Sequence, residues 1–413
     1  MVNRPMVNQK TGVNGLQVAI VGDGVGSLIT LAVLAHAGLI PEVVTVYGDS
    51  PHPLAYLERC AVALGQDRMR SESNGHLAPV DIPGMAWVDA CNHRSPWPLL
   101  ASLCDRYNPP LGLLLAQADA LTTRLGFHEC KVPVRIAQIL RADTAEPSFM
   151  LYDCAGQLLG AARHVILALG HAGLAWPEAV RPWWSHPGIV HAYDAPTFQA
   201  GERVAVIGSG MAAAHLWSRG LAKGAQVTAL HRRPLRCQQL NAPRSAFSAV
   251  GIDAYRRLPP AERLATLGEM GHGTIPWRLS WQRQWRDARR RGQFRSIQGE
   301  LATIEPARQE LDGPLVLHLH TGESVEVDAL VCATGFVTAA LTYPLIAQIA
   351  STHCLPTAGS FLMVADDFTL PPLSRDTNIL GVVGALARWA LPVADTFAGI
   401  KYAARRLAPQ LLS

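Results

Sequence analysis

The chain has 413 residues, enough for two or three domains with sizeable cores, and a formal net charge of only +4, which gives no whole-protein drive toward nucleic acid. No apolar run reaches the roughly 18–20 residues that span a membrane. The eight cysteines form no CxxC pair and the histidines show no metal-ligand spacing, which argues against dithiol redox chemistry and against a bound metal.

Residues 1–14 contain no apolar signal segment, so they read as a flexible tail of a cytoplasmic protein, and single scattered cysteines suit a reducing compartment. The first predicted unit is a strand over 17–21, the glycine run GDGVGS at 22–27, a helix to about 37 and a strand over 43–47. Gly22 permits a tight turn, Gly24 lets backbone approach a pyrophosphate, and the small residues Gly26 and Ser27 allow close helix–strand packing. The free N–H groups at the helix start then face the phosphates. Such a unit expects an acidic residue on the adenosine ribose at the end of the second strand. That slot falls at Gly48; its neighbour Asp49 is the candidate, with a plain turn at 48–51 as the alternative.

The stretch 67–93 gathers Arg70, Ser71, Asn74, His76 and Asn92 in a loop-like setting of the kind that lines sites, or forms a solvated connection. A helix is expected over 111–125, a strand over 132–140, and a hairpin over 148–153 and 157–159. The run HVILALG at 164–170 reads as a buried strand ending in glycine. GIVHAY at 188–193 then leads into a second strand–turn–helix–strand unit over 203–233. Its turn is GSGMAA at 208–213: Gly208 for the bend, Ser209 and Gly210 for backbone approach, Met211 and Ala212 to open the helix. Its second strand ends in Arg232 and Arg233. Two guanidiniums there suit a 2′-phosphate; the alternative is a solvated strand end.

Further on, 259–267 is helical. The basic stretch 277–295 places Trp277, Trp281 and Trp285 on one helical face, either as a core face or as a docking or phosphate-binding face. A hairpin over 315–319 and 324–327 delivers DALVCATGF at 328–336, with Thr334 and Gly335 at a domain junction. A strand over 378–384 ends in Gly384, and Leu391-Pro392 opens a last helix over 393–407.

Two dinucleotide fingerprints, two hairpin-fed strands ending in glycine and a final strand–helix together resemble the flavoproteins with two dinucleotide-binding domains. ATGF, His191-x-Tyr193 before the second fingerprint and the arginines after its second strand are most similar to the class B flavin monooxygenases, which include N-hydroxylases. GIVHAY matches only part of their FxGxxxHxxxW/Y pattern. The resemblance implies an α/β fold with two Rossmann-like domains, an NADPH-binding domain (200–312) inserted into an FAD-binding domain (15–199 and 313–413).

It also implies FAD at the first turn and NADPH at the second. Arg70 and Ser71 then lie near the isoalloxazine or ribityl chain, and the amides of Leu391 and Val393 face the flavin pyrimidine edge. His191 lies on the nicotinamide side unless it is simply structural, and Asn74 and His76 position substrate. The implied reaction is NADPH-driven, with one oxygen of O2 passing through a flavin hydroperoxide to a small molecule by N- or S-oxygenation or Baeyer–Villiger insertion. Two other readings remain: an NADPH-dependent flavin oxidoreductase serving a quinone or protein acceptor, and a non-catalytic flavin-binding redox sensor.

Overall fold

A computed structural model describes residues 16–70, 77–79, 84–103, 106–142, 148–271, 273–308, 313–375 and 377–412. The expected tail at 1–14 and the candidates Ser71, Asn74 and His76 lie outside the described residues.

The first unit is built on a seven-stranded sheet. Leu16–Val21 lies between Val44–Tyr47 and Leu158–Leu167, parallel to both, and Lys131–Val132 extends the sheet beyond Val44–Tyr47. The strand Leu158–Leu167 is shared along its length. Its first half pairs antiparallel with Phe149–Tyr152, and its last residues pair parallel with Leu380–Val382, from the far end of the chain. Strands buried on both faces read as apolar runs, and Val18, Ile20, Val165 and Ile166 are fully buried. The helix Val25–His36 is buried along Ser27 to Leu34 and packs on the C-terminal helix Phe397–Leu411.

The second unit is a five-stranded, wholly parallel sheet in the spatial order Phe294–Gln298, Gln226–His231, Arg203–Ile207, Ala329–Cys332, Ile189–His191. The helix Met211–Ala222 follows its central strand, and a three-stranded antiparallel sheet, Leu301–Pro306, Leu315–Leu319 and Ser324–Val327, covers one side. The unit is an insert in the first, because the chain leaves the first sheet after Leu167 and rejoins it at Leu380. Its sheet draws strands from 189–191 and 329–332, so it reaches beyond the 200–312 expected for the insert.

Among the expected elements that differ in extent, three have a local cause. The strand expected over 132–140 is two short strands, Lys131–Val132 and Gln138–Arg141, in different parts of the sheet. Pro133, which has no N–H, interrupts it, and Val134 N–H turns back onto the Val132 carbonyl at 2.8 Å. The last helix begins at Phe397 rather than 393, because the Thr396 hydroxyl caps it by accepting the Gly399 N–H at 3.0 Å. The Trp–Arg helix is Leu279–Arg290. It buries Trp281 and Trp285 against the helix Met211–Ala222, with Trp285 Nε1 donating to Ser218 Oγ at 3.0 Å, and leaves Trp277 outside and exposed. Its aromatic face is therefore core, and the docking-face reading loses its aromatic anchor.

Candidate functional site

The two glycine turns have the same floor. Gly22 (φ +102°) and Gly208 (φ +146°) both sit where L side chains are strained, and a Cβ on either would lie 2.4 Å from a carbonyl oxygen, of Ala168 and Ala333 respectively. Their N–H groups each donate at 2.9 Å to the second strand of their unit, at Tyr47 and Leu230. The helices then start one residue after Gly24 and Gly210, which are extended N-caps without a side-chain cap. First-turn amides therefore remain available to an anion. The third fingerprint position is Ser27, whose hydroxyl donates to the Gly22 carbonyl at 2.5 Å and closes the turn from inside.

The mouths differ. In front of Gly24, among the described residues, the nearest atom to an added Cβ is the Pro53 carbonyl oxygen at 3.9 Å, so these residues leave the approach open. In front of Gly210 lies Gly273: its own added Cβ would fall 2.7 Å from both the nitrogen and the Cα of Gly210. Backbone at 273–275 thus packs directly onto the second turn. It is pinned there by Ile275 N–H to the Arg236 carbonyl (2.9 Å) and Gln238 N–H to the Ile275 carbonyl (2.9 Å).

Arg70, expected near the flavin, supplies the other clamp. All five of its N–H donors are used across the two units. Nε donates to the Gln239 carbonyl (2.9 Å), Nη1 to Asn241 Oδ1 (2.6 Å) and the Thr274 carbonyl (2.8 Å), and Nη2 to the Gln238 carbonyl (2.6 Å) and Thr274 Oγ1 (2.8 Å). Burial lowers its pKa to about 10, which still leaves it charged at neutral pH. No donor is left for a cofactor in this arrangement.

Asp49 is also placed otherwise than expected. Its carboxylate is bound by Arg135 Nε at 2.8 and 2.9 Å, which holds its pKa down, and it faces outward. The space at the strand end is filled by Asp23, the residue between the first two glycines. A Cβ on Gly48 would fall 2.3 Å from the Asp23 carboxyl carbon. Asp23 is buried, accepts from Ser50 N (2.8 Å) and Ser50 Oγ (2.8 Å), and pairs with Lys131 Nζ at 2.6 Å.

The two crossings between the units run side by side. Ala175 N–H donates to the Gly335 carbonyl (3.0 Å), Val337 N–H to the Gly173 carbonyl (2.9 Å), and the Thr334 hydroxyl to the Ala175 carbonyl. A column of rings locks it: Phe336 stacks on His171 at 4.3 Å and on Tyr193 at 5.0 Å, nearly parallel to both. His191 lies behind this column. It is fully buried, 5.3 Å from Trp176 and 5.5 Å from Tyr193 by ring centroids, and desolvation lowers its pKa. As placed, it touches no open space, because pairing of Ile189–His191 with Ala329–Cys332 turns it into the interior.

His171 is the ring that reaches solvent, walled in enough that desolvation lowers its pKa; the Asp395 carboxylate opposes the shift and Arg388 adds to it. The sequence reading missed it. The usable signal was its position immediately after Gly170, at the carboxyl end of a parallel strand where α/β folds bind ligands.

Asp395, whose charge acts on His171, lines a cleft of about 190 Å³ together with Met69, Arg70, Asn241, Phe247 and Phe397. The Leu391 amide, expected to face the flavin, is spent on the Ala387 carbonyl at 3.1 Å, and Val393 is buried with its carbonyl accepting from Thr396. With the helix starting at Phe397, the amides at 397 and 398 are its free first-turn donors. Gly384 has φ +76° and is buried at the end of the last strand. Arg232 and Arg233 are exposed beyond the second unit's second strand. Arg232 lies 3.4 Å from Glu300, and the loop is held by His231, whose ring nitrogens bond the Arg233 carbonyl (2.8 Å) and Ser296 Oγ (2.9 Å). Asn92 is exposed on the helix Met85–His93. Among the described residues no group of three or more His, Cys, Asp or Glu could hold a metal.

No protein-family model matches this chain, and no curated protein does. Solved structures share its fold nearly end to end. The ornithine N-hydroxylase of Kutzneria sp. 744, solved with reduced FAD, NADP+ and L-ornithine, superposes with a TM-score of 0.73 over 96% of this chain and 99% of its own, at 16% identity. The FAD-bound cadaverine monooxygenase of Erwinia amylovora gives 0.72 over 96% and 94%, at 16% identity. The bacillithiol disulfide reductase of Bacillus cereus gives 0.60 over 96% and 98%, at 12% identity. The fold is that of flavoproteins with two dinucleotide-binding domains.

Proposed function

We propose that this chain is an FAD-dependent, NADPH-reduced monooxygenase that oxygenates the nitrogen of a small amine. The observation that supports it most is the pairing of two glycine turns with matched floors on two parallel sheets of one chain, in a fold shared with FAD- and NADP-bound N-hydroxylases. The first turn fits FAD: its approach is open and its helix amides are uncapped. The second turn fits NADPH at its floor and beside Arg232 and Arg233, while its mouth is covered by Gly273 in this conformation.

Bound flavin would supply the two-electron and O2 chemistry. The chain's own residues bind, orient and handle protons around it. Asp395, about one third exposed with Arg388 4.0 Å behind it, offers a carboxylate to a cationic amine. His171, whose pKa desolvation lowers, can accept the proton an ammonium group must lose before its nitrogen becomes nucleophilic. The amides opening the helix at Phe397 offer partial positive charge to an anionic ring.

A reductase serving another acceptor uses the same two turns. The absence of a paired dithiol motif separates this chain from disulfide reduction, and no helix of the described residues is long and apolar enough to cross a membrane. Purified protein should carry one FAD per chain, and NADPH should bleach it faster than NADH under anaerobic conditions. A colourless protein that takes up no added FAD would overturn the proposal.

A further inference from the structure

The first turn lacks the acid that its βαβ unit calls for, and the structure has filled that space from another direction. Gly48 occupies the slot at the end of Val44–Tyr47, and the Asp23 carboxyl group stands where a side chain at 48 would be, 2.3–2.4 Å from its ideal Cβ. Asp23 comes from the turn itself rather than from the strand. Its partner Lys131 opens the neighbouring parallel strand, and both side chains are largely buried, at 7% and 11% exposure. A buried ion pair is poor value for stability, since desolvation offsets much of its Coulomb gain. Its position beside an open glycine turn calls for another reason.

The donor and acceptor inventory suggests one. A carboxylate has about four acceptor positions. Asp23 Oδ2 takes Ser50 N–H and Lys131 Nζ, and Oδ1 takes the Ser50 hydroxyl, which leaves one position on Oδ1. Lys131 has three N–H donors; one goes to Asp23 and one to the Ser50 carbonyl, which leaves the third. One open acceptor beside one open donor matches a vicinal diol, in which one hydroxyl donates and the other accepts.

We infer that Asp23 and Lys131 together bind the adenosine ribose diol of the dinucleotide at the first turn, in place of a strand-end acid. The inference rests on the proposal that this turn takes FAD. Asp49, bound outward by Arg135, is then a surface residue.

The test is a titration of flavin-free protein with FAD and with FMN, which lacks the adenosine half, followed by quenching of flavin fluorescence. Asp23→Asn should raise the FAD Kd by about tenfold or more and leave the FMN Kd within about twofold; Lys131→Met should do the same more weakly. Gly48→Ala should phenocopy Asp23→Asn, because its Cβ displaces the carboxyl group. The double change Asp23→Ala with Gly48→Asp returns an acid to the strand end, where φ is not left-handed, and should recover most of the FAD affinity. Equal weakening of FAD and FMN, or no weakening of either, would overturn the ribose role. Wild-type protein that binds neither flavin would instead remove the flavin reading on which the inference stands.

Discussion

At the first turn, a methyl group on Gly24 would meet nothing among the described residues closer than the Pro53 carbonyl at 3.9 Å; at the second, Gly210 lies against Gly273, 3.4 Å from an added methyl. Beneath these mouths the two turns repeat each other, from the carbonyl oxygen that a Cβ on either floor glycine would meet at 2.4 Å to the 2.9 Å hydrogen bond into the second strand. The contrast teaches that a dinucleotide fingerprint specifies the floor of a site and says little about its access. At 24 the missing side chain leaves room for a ligand. At 210 the same absence is used by the protein's own backbone, and Arg70 fastens that backbone from the other unit.

The largest expected effects come from breaking one floor while sparing the other. Gly22→Ala combines a left-handed φ with a clash into Ala168, a strain of at least about 1–3 kcal/mol, and should abolish flavin retention. Gly208→Ala should leave flavin content near wild type and remove reduction by NADPH. Flavin absorbance per chain, measured before and after NADPH addition, checks both; joint loss in both variants would mean that the two units do not act separately.

Next in size is the cover. Gly273→Ala places a methyl group 2.7 Å from Gly210 and should lift the segment, and Arg70→Ala removes the two hydrogen bonds to Thr274 that hold it and the three to the neighbouring stretch 238–241. In both, amide hydrogen exchange at 274 and 275 should speed up by at least about tenfold and NADP+ should associate faster. Unchanged exchange would show that the cover is held by something else.

A smaller effect is expected at the second strand's end. Replacing Arg232 and Arg233 by alanine should weaken NADPH by about tenfold to a hundredfold, or roughly 1.5–3 kcal/mol, and NADH by less than about threefold, as read from steady-state KM for each. Equal losses would count against a 2′-phosphate contact.

The smallest concerns pH. His164 in the first sheet and His215 in the second unit's helix are buried, and desolvation lowers each pKa to about 4. Each binds fewer protons folded than unfolded between about pH 4 and 6.5, so stability is full above that window and is lost as pH falls through it, by at most about 3 kcal/mol per histidine. His215→Gln should flatten the fall in Tm between pH 7 and 5; an unchanged slope would mean that His215 does not drive it.

Periodic and glycine signals made most of the fold legible. Both βαβ units, both hairpins feeding glycine-ended strands and the insertion followed from short-range patterns that act within a few residues. What escaped depends on residues far apart in sequence. The polar setting of Arg70 was readable, whereas its partners at 238–241 and 274 were not. Asp49 looked like the ribose acid because proximity to the strand end was readable, whereas the reach of Asp23 into the slot at Gly48 was not. His191 was singled out by a partial motif, yet strand pairing buries it and leaves His171 as the exposed ring. The start of the last helix moved four residues because Thr396 outcompeted Pro392 as the cap.

The most direct test of the proposal is product analysis after turnover. The purified, FAD-loaded protein is supplied with NADPH, O2 and a panel of small primary amines that includes ornithine, lysine and cadaverine, and the hydroxylamine formed is quantified against NADPH consumed and H2O2 released. The proposal predicts that at least one amine yields hydroxylamine in near-stoichiometric ratio to NADPH, with little H2O2. NADPH consumption that returns only H2O2 with every amine, while a quinone or protein acceptor is reduced instead, would contradict it.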